Sequence, residues 1–134
     1  MGSWTQIKVA GHPCDVFEPD VPNIHQYTVI FLHGVHMGRL VDKPEFEQPF
    51  NESGLRVIAP HTQRSWWTDR ICPEFDKQLT AERHILDNIL PWIARDWGSS
   101  QVALLGTSMG GQGALRFAFK YPDTFPVVAA MSPA

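Results

Sequence analysis

The segment Gly106-Thr107-Ser108-Met109-Gly110 constrains this chain more than any other, because of what flanks it. The five residues before it, Gln101-Val102-Ala103-Leu104-Leu105, read as a short buried strand, and the residues after it, through Phe119, read as a helix. A Gly-x-Ser-x-Gly sequence at such a junction makes a turn so tight that both glycines are needed, since a side chain there would collide with the neighbouring strand or helix. The serine between them is held in a strained conformation with its hydroxyl at the end of the sheet. The helix that begins there aims its first amides at the same point, which favours a developing negative charge.

The rest of the chain supplies a sheet for that turn. Residues 27–32, Tyr-Thr-Val-Ile-Phe-Leu, are a continuous apolar run ended by His33-Gly34, the pattern of a strand buried on both faces of a parallel sheet. Residues 4–9 and 13–17 suit an edge hairpin around Gly11. Residues 39–52 are a weak helix interrupted by Pro44 and Pro49, and 55–59 form the next strand, closed by Pro60. A polar and aromatic loop, 61–70, leads to the clearest helix, 80–97. Thr80 is its N-cap, Glu82 lies in its first turn, and Ile85, Leu86, Ile89, Leu90, Ile93 and Trp97 form an apolar stripe. Gly98 should stop it, and Pro91 should kink it by removing one backbone hydrogen bond. A helix over 109–120 and a last buried-type strand over 127–131 complete the pattern. Strands alternating with helices predict an α/β, mostly parallel, doubly wound sheet. Strand 127–131 needs a covering helix and a neighbour, and residues 1–134 offer neither after it, so the sequence reads as the N-terminal part of a single domain that lacks C-terminal strands.

Composition narrows the classes. Hydrophobic residues make up 43% and charged residues 19%, a globular balance, and the net charge of −3 gives no basic footprint for nucleic acid or a membrane surface. No apolar stretch approaches the ~18 residues that span a bilayer. The first residues lack the basic region and apolar run of a secretion signal, so a soluble, cytoplasmic protein is expected. Cys14 and Cys72 suit two free thiols or one disulfide equally well. No cluster has metal-ligand spacing and no Gly-rich phosphate loop is present, so neither a metal nor a cofactor is expected.

Ser108 is the candidate nucleophile, against the bland alternative of a chance pattern in a Gly-rich turn. Phe31-Leu32-His33-Gly34-Val35 is the second signal: a glycine after a buried strand lets the next amide turn into the site. The amides of Val35 and Met109 are then the candidates to hold the oxyanion of a tetrahedral intermediate. His33 is better suited to bracing that loop than to acting as a base. With Gly34, it borders the candidate substrate pocket. His36 and Met37 either line the entrance or are plain loop residues. His61 follows a strand and so sits at the carboxyl end of the sheet, a pocket candidate and a weaker base candidate. Trp66 and Trp67 either wall an acyl or alcohol pocket or cover the sheet as core. His84 falls on the polar side of its helix, which predicts a solvated residue; His12 and His25 carry no signal. All six histidines precede Ser108, and the only acid after it is Asp123. A general base is therefore missing from the place where this kind of chemistry would put it.

Phe31-Leu32-His33-Gly34, Gly106 to Leu115, Tyr121-Pro122-Asp123-Thr124-Phe125 and Met131-Ser132-Pro133 together resemble an esterase group of the α/β-hydrolases. That group includes the esterase D or S-formylglutathione hydrolase type and feruloyl-esterase-like enzymes. The likeness runs over about residues 27–134 and is most specific over 101–134. It implies an α/β-hydrolase fold with a core sheet of about eight strands, Ser108 as nucleophile, and the Val35 and Met109 amides as oxyanion hole. It also implies a catalytic acid and histidine in a C-terminal half, here a second chain or a continuation. The implied activity is hydrolysis of a small-molecule carboxylic ester without a cofactor. Thioesterase, acyltransferase or peptidase chemistry on the same turn, or a non-catalytic binding module of the same fold, are the alternatives.

Overall fold

The computed structural model describes residues 2–134. Strands β1 (Ser3–Val9) and β2 (His12–Glu18) form the antiparallel edge hairpin, turning at Ala10-Gly11 with both residues in the left-handed region. β2 pairs antiparallel with β4 (Arg56–Pro60). From there β4, β3 (Tyr27–Leu32), β5 (Gln101–Thr107) and β6 (Val127–Met131) run parallel, in the spatial order β1-β2-β4-β3-β5-β6. This is the mostly parallel α/β sheet that the strand and helix pattern predicts.

Side-chain alternation along the central strands builds two cores. Ile30 and Leu32 of β3 join Val102 and Leu104 of β5 on one face, while Val29 and Phe31 join Val57 and Ala59 of β4 on the other. The unbroken apolar run of β3 thus reflects burial on both sides. The second face is covered by α1 (Pro44–Glu52), which buries Phe50. Pro44 opens that helix instead of interrupting it; at the first position its missing N–H has no intrahelical partner to lose. Farther along this face Ala103 and Leu105 are only half-buried.

The first face is covered by a rod of helix and by α4 (Met109–Lys120). In the rod, the α-helical turns α2 (Ala81–His84) and α3 (Leu90–Trp92) alternate with π-helical turns over Ile85–Ile89 and Ile93–Trp97. The Thr80 hydroxyl caps its start, accepting from the Arg83 N–H at 3.1 Å, and Gly98 ends it in the left-handed conformation. The widened turns are what Pro91 produces in place of a sharp kink, since five-residue spacing accommodates a position without an N–H donor. Ile85, Ile89 and Ile93 are fully buried.

His84 corrects the sequence reading. It is fully buried, packed against the rings of His12 and Phe75 rather than solvated. Three residues after buried Ala81, it shares that residue's covered face, which His12 of the β1–β2 hairpin and Phe75 close over. Cys14 and Cys72 are free thiols. Strand β6 pairs with β5 alone among the described strands, and its first residue, Val127, is 48% exposed. No helix among the described residues is long and apolar enough to cross a membrane.

Candidate active site

Ser108 sits between β5 and α4 at φ 55° and ψ −115°, a strained conformation for a residue with a side chain. The flanking glycines make it possible. A Cβ on Gly106 would lie 2.1 Å from the Gly110 carbonyl oxygen, and one on Gly110 would lie 1.8 Å from the Leu32 carbonyl oxygen. Those are backbone atoms that have no room to retreat. The Ser108 N–H donates to the Met131 carbonyl at 2.9 Å, which ties the turn to the end of β6. The Ser108 carbonyl accepts from Gln112 at 3.0 Å and Ala134 at 3.1 Å. The backbone of the turn is thus pinned from three directions while the side chain stays half-exposed.

The loop after β3 lies against this serine. A Cβ on Gly34 would stand 3.4 Å from the Ser108 Cβ and 4.0 Å from its Oγ. The Met37 N–H closes a turn on the Gly34 carbonyl at 2.9 Å, with Met37 in the left-handed region. Among the described residues neither the Val35 amide, one residue beyond Gly34, nor the Met109 amide, one residue beyond Ser108, has an acceptor. His33 is 4% exposed, and both of its ring nitrogens are engaged. Nε2 accepts from the Thr62 N–H at 3.0 Å, which leaves Nδ1 to donate to the Gly34 carbonyl at 2.9 Å. Burial pushes its pKa down, more than the Gly34 hydrogen bond raises it, so the ring is neutral at pH 7. His33 therefore braces the loop from beneath.

The far end of the loop is anchored by Arg39. Its Nε and Nη2 both donate at 2.8 Å to the carboxylate of Asp15, which is 1% exposed on β2. His61 completes this cluster, with Nε2 3.0 Å from Asp15 Oδ2. Burial would raise the Asp15 carboxyl, but the hydrogen bonds from Arg39 and His61 overcome it and hold the group below the usual range. Asp15, His33, Met37, Arg39 and His61 line only a crevice of about 10 Å³, the size of a single water. His36 is exposed beside it.

The two tryptophans part company. Gln63, Trp66 and Trp67 all have φ near 56°, a cluster of left-handed residues in one loop. Ser65 holds this turn, with its Oγ accepting from the Trp67 N–H at 3.1 Å and lying 2.9 Å from Thr62 Oγ1. The result turns Trp67 fully inward and leaves Trp66 39% exposed. Trp66 borders an open hollow of about 470 Å³ with Arg64, Thr68, Arg70 and Ile71. Trp67 belongs to the core under α4.

Glu82, a first-turn charge in the sequence pattern, is a second buried carboxylate. Glu82 is 1% exposed and receives Arg116 at 2.8 Å, Lys120 at 2.7 Å and the Tyr121 hydroxyl at 2.8 Å. Burial opposes its ionisation, yet the hydrogen bonds from Lys120, Arg116 and Tyr121 bring its pKa down to about 2. Its partners lie more than thirty residues away, so no local spacing marks it. Asp15 did leave a trace: it is a lone charge in the apolar run Cys14-Asp15-Val16-Phe17. Gly34 lies against Ser108, whereas His61 and Trp66 share the loop that follows β4. No histidine among the described residues hydrogen-bonds to Ser108, and no group of potential metal ligands is found among them.

Solved structures with the same fold include an S-formylglutathione hydrolase from Agrobacterium tumefaciens, 19% identical with a TM-score of 0.77 over 98% of this chain and 57% of that one. FphF, a fluorophosphonate-binding serine hydrolase of Staphylococcus aureus, is 19% identical with a TM-score of 0.78, again covering 98% and 57%. A ferulic acid esterase is 17% identical with a TM-score of 0.74, covering 99% and 60%. This chain thus spans less than two thirds of the length of each. A search of curated proteins found no match. The model of the family described as Putative esterase matches residues 44–134, well over half of the sequence, from α1 through the Ser108 turn to β6. The chain therefore belongs to the Putative esterase family and carries its α/β-hydrolase fold.

Proposed function

We propose that Ser108 is the nucleophile of a serine carboxylesterase acting on a small-molecule ester. Its Oγ attacks the ester carbonyl carbon while a histidine takes the hydroxyl proton. The oxyanion of the tetrahedral intermediate is held by the Val35 and Met109 amides. Collapse expels the alcohol, which receives that proton, and water then releases the acid from the acyl-enzyme. The observation that carries this reading is the strained Ser108 backbone at the strand-to-helix turn, with neither the Val35 nor the Met109 amide having an acceptor among the described residues. The histidine and its acid are assigned to a complementary segment outside residues 1–134. That assignment is supported by His33 having both nitrogens engaged and by the greater length of the structural neighbours.

Ser108→Ala tests the nucleophile. In the intact assembly with the complementary segment, the variant should lose ester hydrolysis and fluorophosphonate labelling, while its stability moves by less than about 1 kcal/mol, because a half-exposed turn serine contributes little packing. Activity within a few-fold of the parent would sink the assignment. A panel of oxygen esters, thioesters and amides separates esterase from thioesterase or peptidase chemistry on the same turn.

A further inference from the structure

Trp67 touches both halves of the Ser108 site from below. Its indole Nε1–H donates to the His33 carbonyl at 3.1 Å, immediately before Gly34. The His33 ring lies 5.1 Å from the indole, centroid to centroid. On its other side the Trp67 side chain is wedged against α4. A Cβ on Gly113 would stand 2.8 Å from the Trp67 Cβ and 3.0 Å from its Cγ, so glycine is what lets the ring approach. The backbone is clamped as well. The Trp67 carbonyl accepts from the Arg116 guanidinium of α4, and Arg116 is itself held by buried Glu82. Trp67 reaches this position only through a left-handed backbone, preceded by another left-handed residue, Trp66. Such strain persists only where the surroundings over-determine it.

We propose that Trp67 is a positioning residue that sets the separation of the two oxyanion donors. The Val35 amide belongs to the loop that Trp67 holds through the His33 carbonyl. The Met109 amide belongs to the helix that Trp67 meets at Gly113 and Arg116. Each donor's direction is fixed within its own support, because the carbonyl sharing its peptide plane is hydrogen-bonded, Gly34 to Met37 and His33, and Ser108 to Gln112 and Ala134, so what the wedge between the supports sets is the spacing of the pair. This rests on the oxyanion role of Val35 and Met109 proposed above, and it adds a residue that never meets substrate. Because the oxyanion forms only after attack, a displaced donor weakens the transition state and leaves ground-state binding alone.

The variant to make is Trp67→Phe, which keeps an aromatic ring and removes the indole N–H. Assayed with the complementary segment present, its hydrolysis of a p-nitrophenyl ester should show kcat down by ~10–100-fold with KM within about twofold, the size expected for a small misplacement of reacting groups. Hydrogen exchange followed by mass spectrometry should show faster exchange over residues 33–40 than in the parent, with the strands unchanged. If Trp67→Phe does not fold, 3-benzothienylalanine at position 67, which replaces only the N–H by sulfur, carries the same two expectations. A folded variant with parental kcat, or with unchanged exchange over 33–40, overturns the proposal. So does a loss in which KM rises as much as kcat falls. A parent that stays inactive with the complementary segment present would refute the esterase reading, and the exchange measurement would still decide whether Trp67 holds the loop.

Discussion

His84 shows how one buried side chain can shape the behaviour of the folded protein. Its Nδ1 meets the Asn88 amide at 3.1 Å, and its Nε2 has no hydrogen-bond partner among the described residues. Burial first, and then the nearby charge of His12, lower its pKa to about 4, with Asp76 acting in the opposite sense. Unfolding restores the ordinary value of 6.5, so between the two values the unfolded chain binds more protons than the folded one. The stability contributed by neutral His84 is therefore complete above 6.5 and falls as the pH drops toward 4. His84→Gln, similar in size and without a charge, should flatten the dependence of stability on pH in that window, as read by urea unfolding at intervals of pH. An unchanged slope would show that other groups carry it. At this scale the sequence was legible where the backbone itself makes the demand. Gly106 and Gly110 could be assigned because only glycine fits a turn that tight, and the 1.8 Å approach of a Gly110 Cβ to the Leu32 carbonyl bears that out. His84 and Glu82 were not legible as buried groups, because the side chains that cover them come from distant segments, while Asp15 left only its lone charge in an apolar run.

Among the elements, the loop between β3 and α1 carries the most chemistry and has the least regular structure. It is fixed by side chains at both ends: His33 and Trp67 near its start, and the Arg39–Asp15 ion pair near its finish. The role proposed for Val35 belongs to its backbone amide, which alanine keeps and proline removes. Val35→Pro should therefore lower kcat by ~10²–10³, the usual loss of one oxyanion donor, while Val35→Ala stays within a few-fold. Circular dichroism must first show both variants folded. Equal losses would indicate that Val35 acts through packing, for which its contact with the first core offers a route. The strands and the other helices followed from the sequence with small shifts at their ends, since continuous apolar runs and a helical stripe report burial directly, whereas α1 starts five residues later than expected, at Pro44, and runs through Pro49. The π-helical turns around Pro91 did not follow, because a missing donor can be absorbed either by a kink or by widened turns, and packing against the sheet selects between them. The inward turn of Trp67 was equally hidden, since it depends on three left-handed residues that the sequence does not mark with glycine.

Over the whole molecule, the arrangement is asymmetric. One edge of the sheet is protected by the β1–β2 hairpin, while the other ends on β6 with Val127 exposed and Phe119 of α4 standing 84% exposed nearby in the chain. On the face covered by α1, Ala103 and Leu105 of β5 pack against the core but remain half-buried. The Ser108 turn is complete in its backbone, with no histidine bonded to its hydroxyl among the described residues. We infer that a complementary segment satisfies both needs, adding strands beside β6 and bringing the histidine and acid to Ser108. If that segment is a separate polypeptide, the two pieces should remain associated without a covalent link, because their interface would be a hydrophobic core cut in half. Residues 1–134 produced by themselves should then be poorly soluble, melt over a broad temperature range and fail to hydrolyse a short-chain p-nitrophenyl ester. Adding the complementary segment should restore both cooperative unfolding and turnover. A soluble, cooperatively melting and active monomer of residues 1–134 would overturn this inference. It would return the base to an upstream histidine, and His61 would be the first to replace, since Asp15 already orients one of its ring nitrogens.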